Sequence, residues 1–326
     1  MTMKNQSFRF SAGLDVPEWQ KKARAELTGL LGITDLLAAP RCPLSPKTLW
    51  KRSNEYGTIE KIELTMEDGF KNRIYLCLPH QSRKPYRAFI CLQGHSTGMH
   101  CSIEVDWHDE QTFVPSDGDR NFANECMRRG IPAICLEQRA MGENSSDPNR
   151  YPSCLLPAMS ALLTGSTLLG KRIFDVDRVL DYMRECGDFD MSHVGIMGNS
   201  GGGTTTMFAA AVLPGLTHAM PSCSFSSFEA SIGSIVHCSC NYVPGLLNFG
   251  ESAEVLGLIA PRPLVIVSGI EDNIFPLAAA KEQFCRLKEI YAAAGAGENC
   301  RHVLGNGGHR FYADDAWPVM LSYWEE

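Results

Sequence analysis

HVGIMGNSGGG, residues 193–203, reads as strand, tight turn, helix. Val194, Ile196 and Met197 form a short apolar run, Gly198, Ser200 and Gly202 satisfy the G-x-S-x-G pattern, and a Thr, Met, Phe and Ala stretch follows that suits a buried helix. A turn this sharp crowds backbone against backbone, which glycine tolerates and a Cβ does not, and it leaves the serine hydroxyl projecting clear. As bare letters the pattern is weak. The strand before it and the helix after it give it meaning, and a serine that merely caps a helix would leave the partners downstream unexplained.

Working outward, short β-rich runs alternate with longer helical ones from about residue 58, the pattern of strands joined by helical crossovers. Strands are predicted over Ile59–Met66, Arg73–Leu78, Ala88–Gln93, Ile131–Glu137, His193–Met197, His218–Ser222, Pro263–Ser268 and Arg301–Leu304. The first two should form an antiparallel hairpin through Glu67, Asp68 and Gly69, and the later ones are of the near-continuous apolar type buried on both faces. Ile173, Val176, Leu180 and Met183 line one helix face, and a second helix spans about Leu277 to Ala294, ended by Gly295 and Gly297. The fold class is α/β, with a mainly parallel eight-stranded sheet flanked by helices.

A serine hydroxyl is a weak nucleophile at neutral pH and needs a base, whose imidazolium must be oriented and stabilised by a carboxylate. After the strand Pro263–Ser268 comes GIEDNIFP, residues 269–276, with two carboxylates on a loop at the sheet edge where sites form. Asp272 is preferred to Glu271, because it lies in a turn between Gly269 and Pro276 that fixes a short carboxylate. Both could instead only cap the helix that begins near Pro276. After the last strand, RHVLGNGGHRF supplies His309 as the base, whereas His302 lies within the strand and His193 and His218 stand at strand starts. An oxyanion needs preorganised backbone donors: the N–H of Gly201 is expected to be one, and the N–H of His95, in the loop after the third strand, is assigned as the other. Sequence does not distinguish this from His95 acting through its ring on the substrate or simply filling the loop.

At these residues the chain resembles the α/β-hydrolase superfamily, and within it the dienelactone-hydrolase-like and acetyl-xylan-esterase-like branch. The resemblance runs from about residue 58 to the end and rests on QGH at 93–95, EQRAMGE at 137–143, GNSGGG at 198–203, APRPL at 260–264, GIED at 269–272 and GGH at 307–309. It implies a serine triad and hydrolysis of carboxylic esters, often acetyl groups on carbohydrates. Glu137 and Ala140 depart from the Asp and Gly usual in the D-x-R-G turn. Dienelactone hydrolases proper use cysteine as nucleophile, so Ser200 favours simple esters.

Residues 1–57 read as a helical extension, with a Pro near the start of VPEWQKKARAEL. The domain then occupies 58–326, with insertions at about 97–118 and 223–260. The second insertion is too long for an ordinary connection and reads as a cap over the cleft, with Phe228, His237 and Tyr242 facing the substrate. His237, Cys238 and Cys240 invite a zinc reading, but the spacing is not C-x-x-C and no fourth ligand is nearby in sequence. Neither metal nor cofactor is expected.

Composition excludes other classes. Thirty Lys and Arg among 37 Asp and Glu, a formal net charge of −7, give no basic stripe for a nucleic-acid backbone. No apolar run approaches the roughly 20 residues that span a bilayer. The 13 cysteines are scattered and several sit in strand-like runs, which suits reduced core thiols. Without a secretory pattern at the N-terminus the expected place is the cytoplasm. The expectation is a serine esterase acting on a small-molecule or carbohydrate ester. Peptide, thioester or lactone cleavage on the same triad, and a non-catalytic binding module, are the alternatives.

Overall fold

The structure, a computed structural model, describes residues 6–145 and 154–325. Its sheet contains β1 (Lys47–Ser53), β2 (Gly57–Glu67), β3 (Phe70–Pro79), β4 (Tyr86–Leu92), β5 (Ala133–Leu136), β6 (Phe189–Asn199), β7 (His218–Ser222), β8 (Leu264–Gly269) and β9 (Cys300–Gly305). The spatial order is β1-β2-β3-β5-β4-β6-β7-β8-β9. β1, β2, β3 and β5 pair antiparallel in turn, and every pair from β5 through β4 to β9 is parallel. The hairpin expected at Glu67–Gly69 joins β2 to β3, with Gly69 at φ +80°.

The sheet therefore has nine strands where eight are expected from sequence. The extra one, β1, falls inside the segment read as helical. KTLWKRS lies at the sheet edge with most of its side chains in solvent, so it lacks the in-out apolar alternation by which a half-buried strand is recognised. Its Lys and Arg residues are the kind that keep an open edge from pairing with another chain.

Alternate residues of the central strands point to opposite layers. Ala88, Ile90 and Leu92 of β4 and Val194 and Ile196 of β6 join one core, whereas Phe89, Cys91 and Met197 join the other. The first core is covered by α1 (Val16–Leu30), α5 (Leu168–Cys186), α6 (Gly201–Val212) and α9 (Leu277–Ala293), together with the short helices α2 (Thr34–Ala38), α7 (Leu246–Phe249) and α8 (Ser252–Gly257). The second is covered by α3 (Phe122–Arg128) and α10 (Ala313–Trp324). α4 (Leu155–Leu163) lies at the periphery. α1 begins as the sequence implies, Asp15 accepting from the Glu18 N–H, and buries Val16, Trp19, Ala23 and Leu27 along one stripe. Arg24 and Gln20 bind it to carbonyls of Ala211, Gly257, Leu258 and Ala260.

After β4 the chain builds β5 on one side and later returns with β6 on the other side of β4. The carboxyl ends of β4 and β6 thus flank a topological switch point, where open α/β sheets leave a crevice. Among the described residues no helix is long and apolar enough to cross a membrane.

Candidate active site

Ser200 follows β6 and is the residue before α6, with φ 57° and ψ −120°. A non-glycine residue there is strained, and such strain persists only when its surroundings enforce it. They do: a Cβ on Gly202 would stand 2.1 Å from the Leu92 carbonyl oxygen, and one on Gly198 would stand 2.6 Å from Gly202. The loop after β4 presses on the same turn. A Cβ on Gly94 would lie 2.8 Å from the Asn199 oxygen and 3.2 Å from the Ser200 Cβ, and one on Gly201 would meet His95 Cε1 at 2.6 Å. The sequence-predicted residues Ser200, Gly201 and His95 are therefore neighbours. The Ser200 N–H donates to Ser222 O at 2.9 Å, fixing the turn to the end of β7.

Asp272 follows β8 and is almost fully buried. Its Oδ1 accepts from the N–H groups of Ile274 (2.9 Å) and Phe275 (3.2 Å), and its Oδ2 lies 2.8 Å from His309 Nδ1. Burial pushes this carboxyl up, but the hydrogen bond and charge of His309 and the two backbone donors outweigh it, so its pKa is lowered and it stays ionised. Glu271 is exposed, and only its backbone is tied, to Gly307 O. Of the two carboxylates, Asp272 is the one that meets the imidazole. The His309 ring stacks on Phe275, centroids 5.9 Å apart and planes 13° apart.

The two halves meet at β7. Ser222 Oγ and Cys223 Sγ both donate to the Arg310 carbonyl, at 3.4 and 3.1 Å, while Ser222 O holds the Ser200 N–H. The Cys223 sulfur, an Asp272 oxygen and a His309 nitrogen lie within 4.8 Å of one another. Ser200 Oγ and the His309 ring are not hydrogen-bonded in this structure. Ser200, Asp272 and His309 follow strands β6, β8 and β9, all at their carboxyl ends, in the chain order Ser, acid, His. This is the α/β-hydrolase fold.

Comparison with known proteins agrees with it. No protein-family model matches the chain. A protein of Bacillus subtilis (strain 168) named "Putative hydrolase YtaP" is 26% identical over 289 residues, covering 88% of this chain and 92% of its own. A structure from Bacteroides fragilis NCTC 9343 titled a "putative acetyl xylan esterase" superposes with a TM-score of 0.77 at 14% identity, over 96% of this chain and 80% of that one. A glucuronoyl esterase from Solibacter usitatus gives 0.71 at 16% identity, over 99% and 97%.

Within the α/β-hydrolase frame, other expectations fare unevenly. Phe228 does not face the cleft: it is 5% exposed and packs its ring 6.1 Å from that of Phe208 in the core, while its N–H is held by Glu251. Tyr242 is 44% exposed, after a short 3₁₀ turn. His237 packs against Phe275, which also stacks on His309; its ring is 5.2 Å from that of Phe275, and its Nε2 is 3.0 Å from Ser231 Oγ. It turns away from Cys238 and Cys240, which instead meet His95 and Cys154. The Glu137 that replaces the usual Asp is fully buried, held by the N–H groups of Met99 and Glu143, and burial raises its pKa to about 8. Ala140, where Gly is usual, takes φ +63°. Cys223 was not singled out from sequence. It is one of many apolar-context cysteines, and burial, with the Asp272 charge, pushes its thiol up to about 12, so it is inert packing beside Asp272.

Proposed function

We propose that the chain is a serine hydrolase of carboxylic esters, working through an acyl-enzyme on Ser200 with His309 as base and Asp272 as the orienting acid. The observation that carries this reading is the buried Asp272 carboxylate, saturated by two backbone N–H groups and the His309 Nδ1–H, at the rim that holds the strained Ser200 turn. Asp272 fixes the tautomer that leaves His309 Nε2 free to accept. Nε2 takes the Ser200 proton as Oγ attacks the ester carbonyl, and the negative oxygen of the tetrahedral adduct sits on the N–H groups of Gly201 and His95. The adduct collapses, the alcohol leaves with the proton from His309, and water, activated by the same base, releases the acid.

The names of the structural neighbours favour a carbohydrate ester as substrate. That none of the 13 cysteines is paired in a disulfide supports a reducing, cytoplasmic setting. The amide and thioester readings draw on the same residues, but only the ester reading is favoured by the neighbours.

The test is a panel of chromogenic esters of increasing acyl length, with acetylated and methyl-esterified sugars, a thioester and a dipeptide amide beside it. Turnover of short esters, with a fluorophosphonate probe attached to Ser200 and lost in Ser200→Ala, is the expected result. Labelling that persists at another serine, or amide cleavage that outpaces ester cleavage, overturns it.

A further inference from the structure

Three cysteines and one histidine, distant in sequence, converge where the cap meets the loop after β4. The donor atoms of His95, Cys154, Cys238 and Cys240 all lie within 4.8 Å of one another. His95 Nε2 is 3.0 Å from Cys240 Sγ, and Cys240 Sγ is 3.5 Å from Cys238 Sγ. In a tetrahedral zinc site with Zn–S near 2.3 Å and Zn–N near 2.0 Å, donors are separated by roughly 3.5 to 3.8 Å. The Cys238–Cys240 separation falls in that range, the His95–Cys240 contact is about 0.5 Å shorter, and all four donors lie close enough to reach a common centre with small side-chain adjustments. Two of the four donors, Cys154 and Cys240, are buried in an apolar cluster with Ala140, Ala158 and Leu168, and His95 and Cys238 are half-buried.

A second observation concerns charge. Arg172 is 1% exposed, and its guanidinium donates to the Arg139 carbonyl at 3.0 and 2.7 Å and to Cys154 Sγ at 3.3 Å. Among the described residues no carboxylate pairs with it, and the sulfur it meets is that of Cys154. A buried guanidinium without an anion is expensive. Three neutral thiols supply none.

We propose that His95, Cys154, Cys238 and Cys240 form a Cys₃His site for a thiophilic divalent cation, zinc, with Arg172 as its buried counter-charge. On binding, each of the three thiols releases its proton to solvent. Three thiolates, a neutral imidazole and Zn²⁺ sum to −1, which the guanidinium neutralises. Four protein donors close the coordination sphere, so the ion is structural and does not reach substrate. It ties together Cys154 beside α4, the cap through Cys238 and Cys240, and the loop after β4 through the His95 ring, which lies over Gly201. The zinc thereby fixes the backbone around the His95 N–H. Metal retention is independent of esterase activity, and only this last consequence rests on the reading above.

The test uses the full chain, purified without a histidine tag or chelator. Elemental analysis should find about one zinc per chain, and the reduced metal-free chain titrated with Co²⁺ should develop thiolate-to-cobalt charge transfer and the strong visible bands of a tetrahedral ion. Cys238→Ser and Cys154→Ser should each weaken Co²⁺ binding at least about tenfold, whereas Cys285→Ser, at an exposed thiol, should leave it unchanged. The wild-type titration does not depend on whether the variants fold. Absence of both zinc and Co²⁺ uptake, or full uptake by both variants, overturns the site. So does a disulfide among Cys154, Cys238 and Cys240, seen by mass in protein kept with zinc. Bound zinc whose removal leaves ester turnover unchanged overturns the link to the His95 loop. Bound zinc with no ester turnover at all would count against the esterase reading and leave the metal site standing.

Discussion

Replacing Asp272 by asparagine should disable the base without disturbing the fold, and the structure says why. Oδ1 accepts two backbone N–H groups, from Ile274 and Phe275, while Oδ2 faces His309 Nδ1. An asparagine must place its oxygen on the two donors, since the opposite orientation sets an NH₂ against two N–H groups and leaves both unsatisfied in a buried site. At about 1–3 kcal/mol for each unsatisfied group, the opposite orientation is disfavoured by about 3 kcal/mol, so roughly one molecule in 150 adopts it. In the favoured one the NH₂ donates to Nδ1, the imidazole proton moves to Nε2, and His309 can no longer accept from Ser200. Loss of the charge that stabilises the imidazolium adds a further decade or two, for a fall in kcat/KM of about 10³ to 10⁴, or about 4–5.5 kcal/mol. The assay is hydrolysis of a chromogenic acetate ester, with urea unfolding to show that the variant is folded. Glu271→Gln, at an exposed side chain, should stay within about twofold of the parent. An Asp272→Asn enzyme retaining more than about a tenth of the parent rate, or a larger loss in Glu271→Gln, would refute the assignment.

Three other perturbations test separate parts. Gly201→Ala places a methyl 2.6 Å from His95 Cε1 and 3.0 Å from Met141 Cε, so kcat should fall by about 10 to 10³ with KM less affected; unchanged kcat removes Gly201 and His95 from the oxyanion role. Asp175, 0% exposed, holds Arg139 through both oxygens at 2.6 and 2.8 Å, so Asp175→Ala should lower unfolding stability in urea by about 3 kcal/mol, the guanidinium keeping only Glu67; a loss below about 1 kcal/mol would mean that the buried pair is not structural. Burial lowers the pKa of His302 to about 4, against about 6.5 when unfolded. The unfolded state then binds the extra proton, so this contribution is present above about pH 6.5 and is lost as pH falls toward 4. Between pH 7 and 5 the parent should lose up to about 2 kcal/mol more than His302→Gln, Glu137 and His218 titrating equally in both; parallel pH dependence of the two urea midpoints would disprove it.

How much of this was legible before the structure depends on locality. Strands β4, β6 and β8 announce themselves by apolar runs that are buried where they near the site, and these three and the half-exposed edge strand β9 each end in a turn with its own residue signature: GlnGlyHis, GlyAsnSerGly, GlyIleGluAsp, GlyGlyHis. Those turns carry the candidate site, so most of it could be named from single segments. β1 could not, because an exposed edge strand has no apolar face to betray its period. The burial of Phe228 is hard to read for a related reason: in SerPheSerSerPheGlu neither a period of two nor of 3.6 says whether an aromatic turns into the core or toward a cleft, and here both Phe225 and Phe228 are buried, Phe228 against Phe208. The Cys₃His cluster is the extreme case. Its ligands come from three segments, and the pair nearest in sequence has a spacing that excludes the usual metal patterns.

On the proposed mechanism, the difference between the Asp272–His309 and Ser200–His309 contacts has a physical logic of its own. Asp272 and His309 are already joined at 2.8 Å, with the carboxylate buried and its other oxygen doubly held, whereas Ser200 and His309 are not yet hydrogen-bonded. The two contacts differ in what an error would do. A wrong imidazole tautomer turns the base into a donor and stops the reaction, and restoring it requires proton exchange, so this half has to be fixed by folding. The serine hydroxyl, by contrast, rotates between staggered wells with less than about 1 kcal/mol of rotamer entropy at stake, and the strained backbone at φ 57° fixes where its Cβ stands. Substrate arrival, by excluding water, can supply that last contact, as catalytic hydrogen bonds commonly tighten only in the reacting complex. On that mechanism the constraint belongs on Asp272 and His309, where disorder would be costly, and the hydroxyl rotor is the part that can be set last.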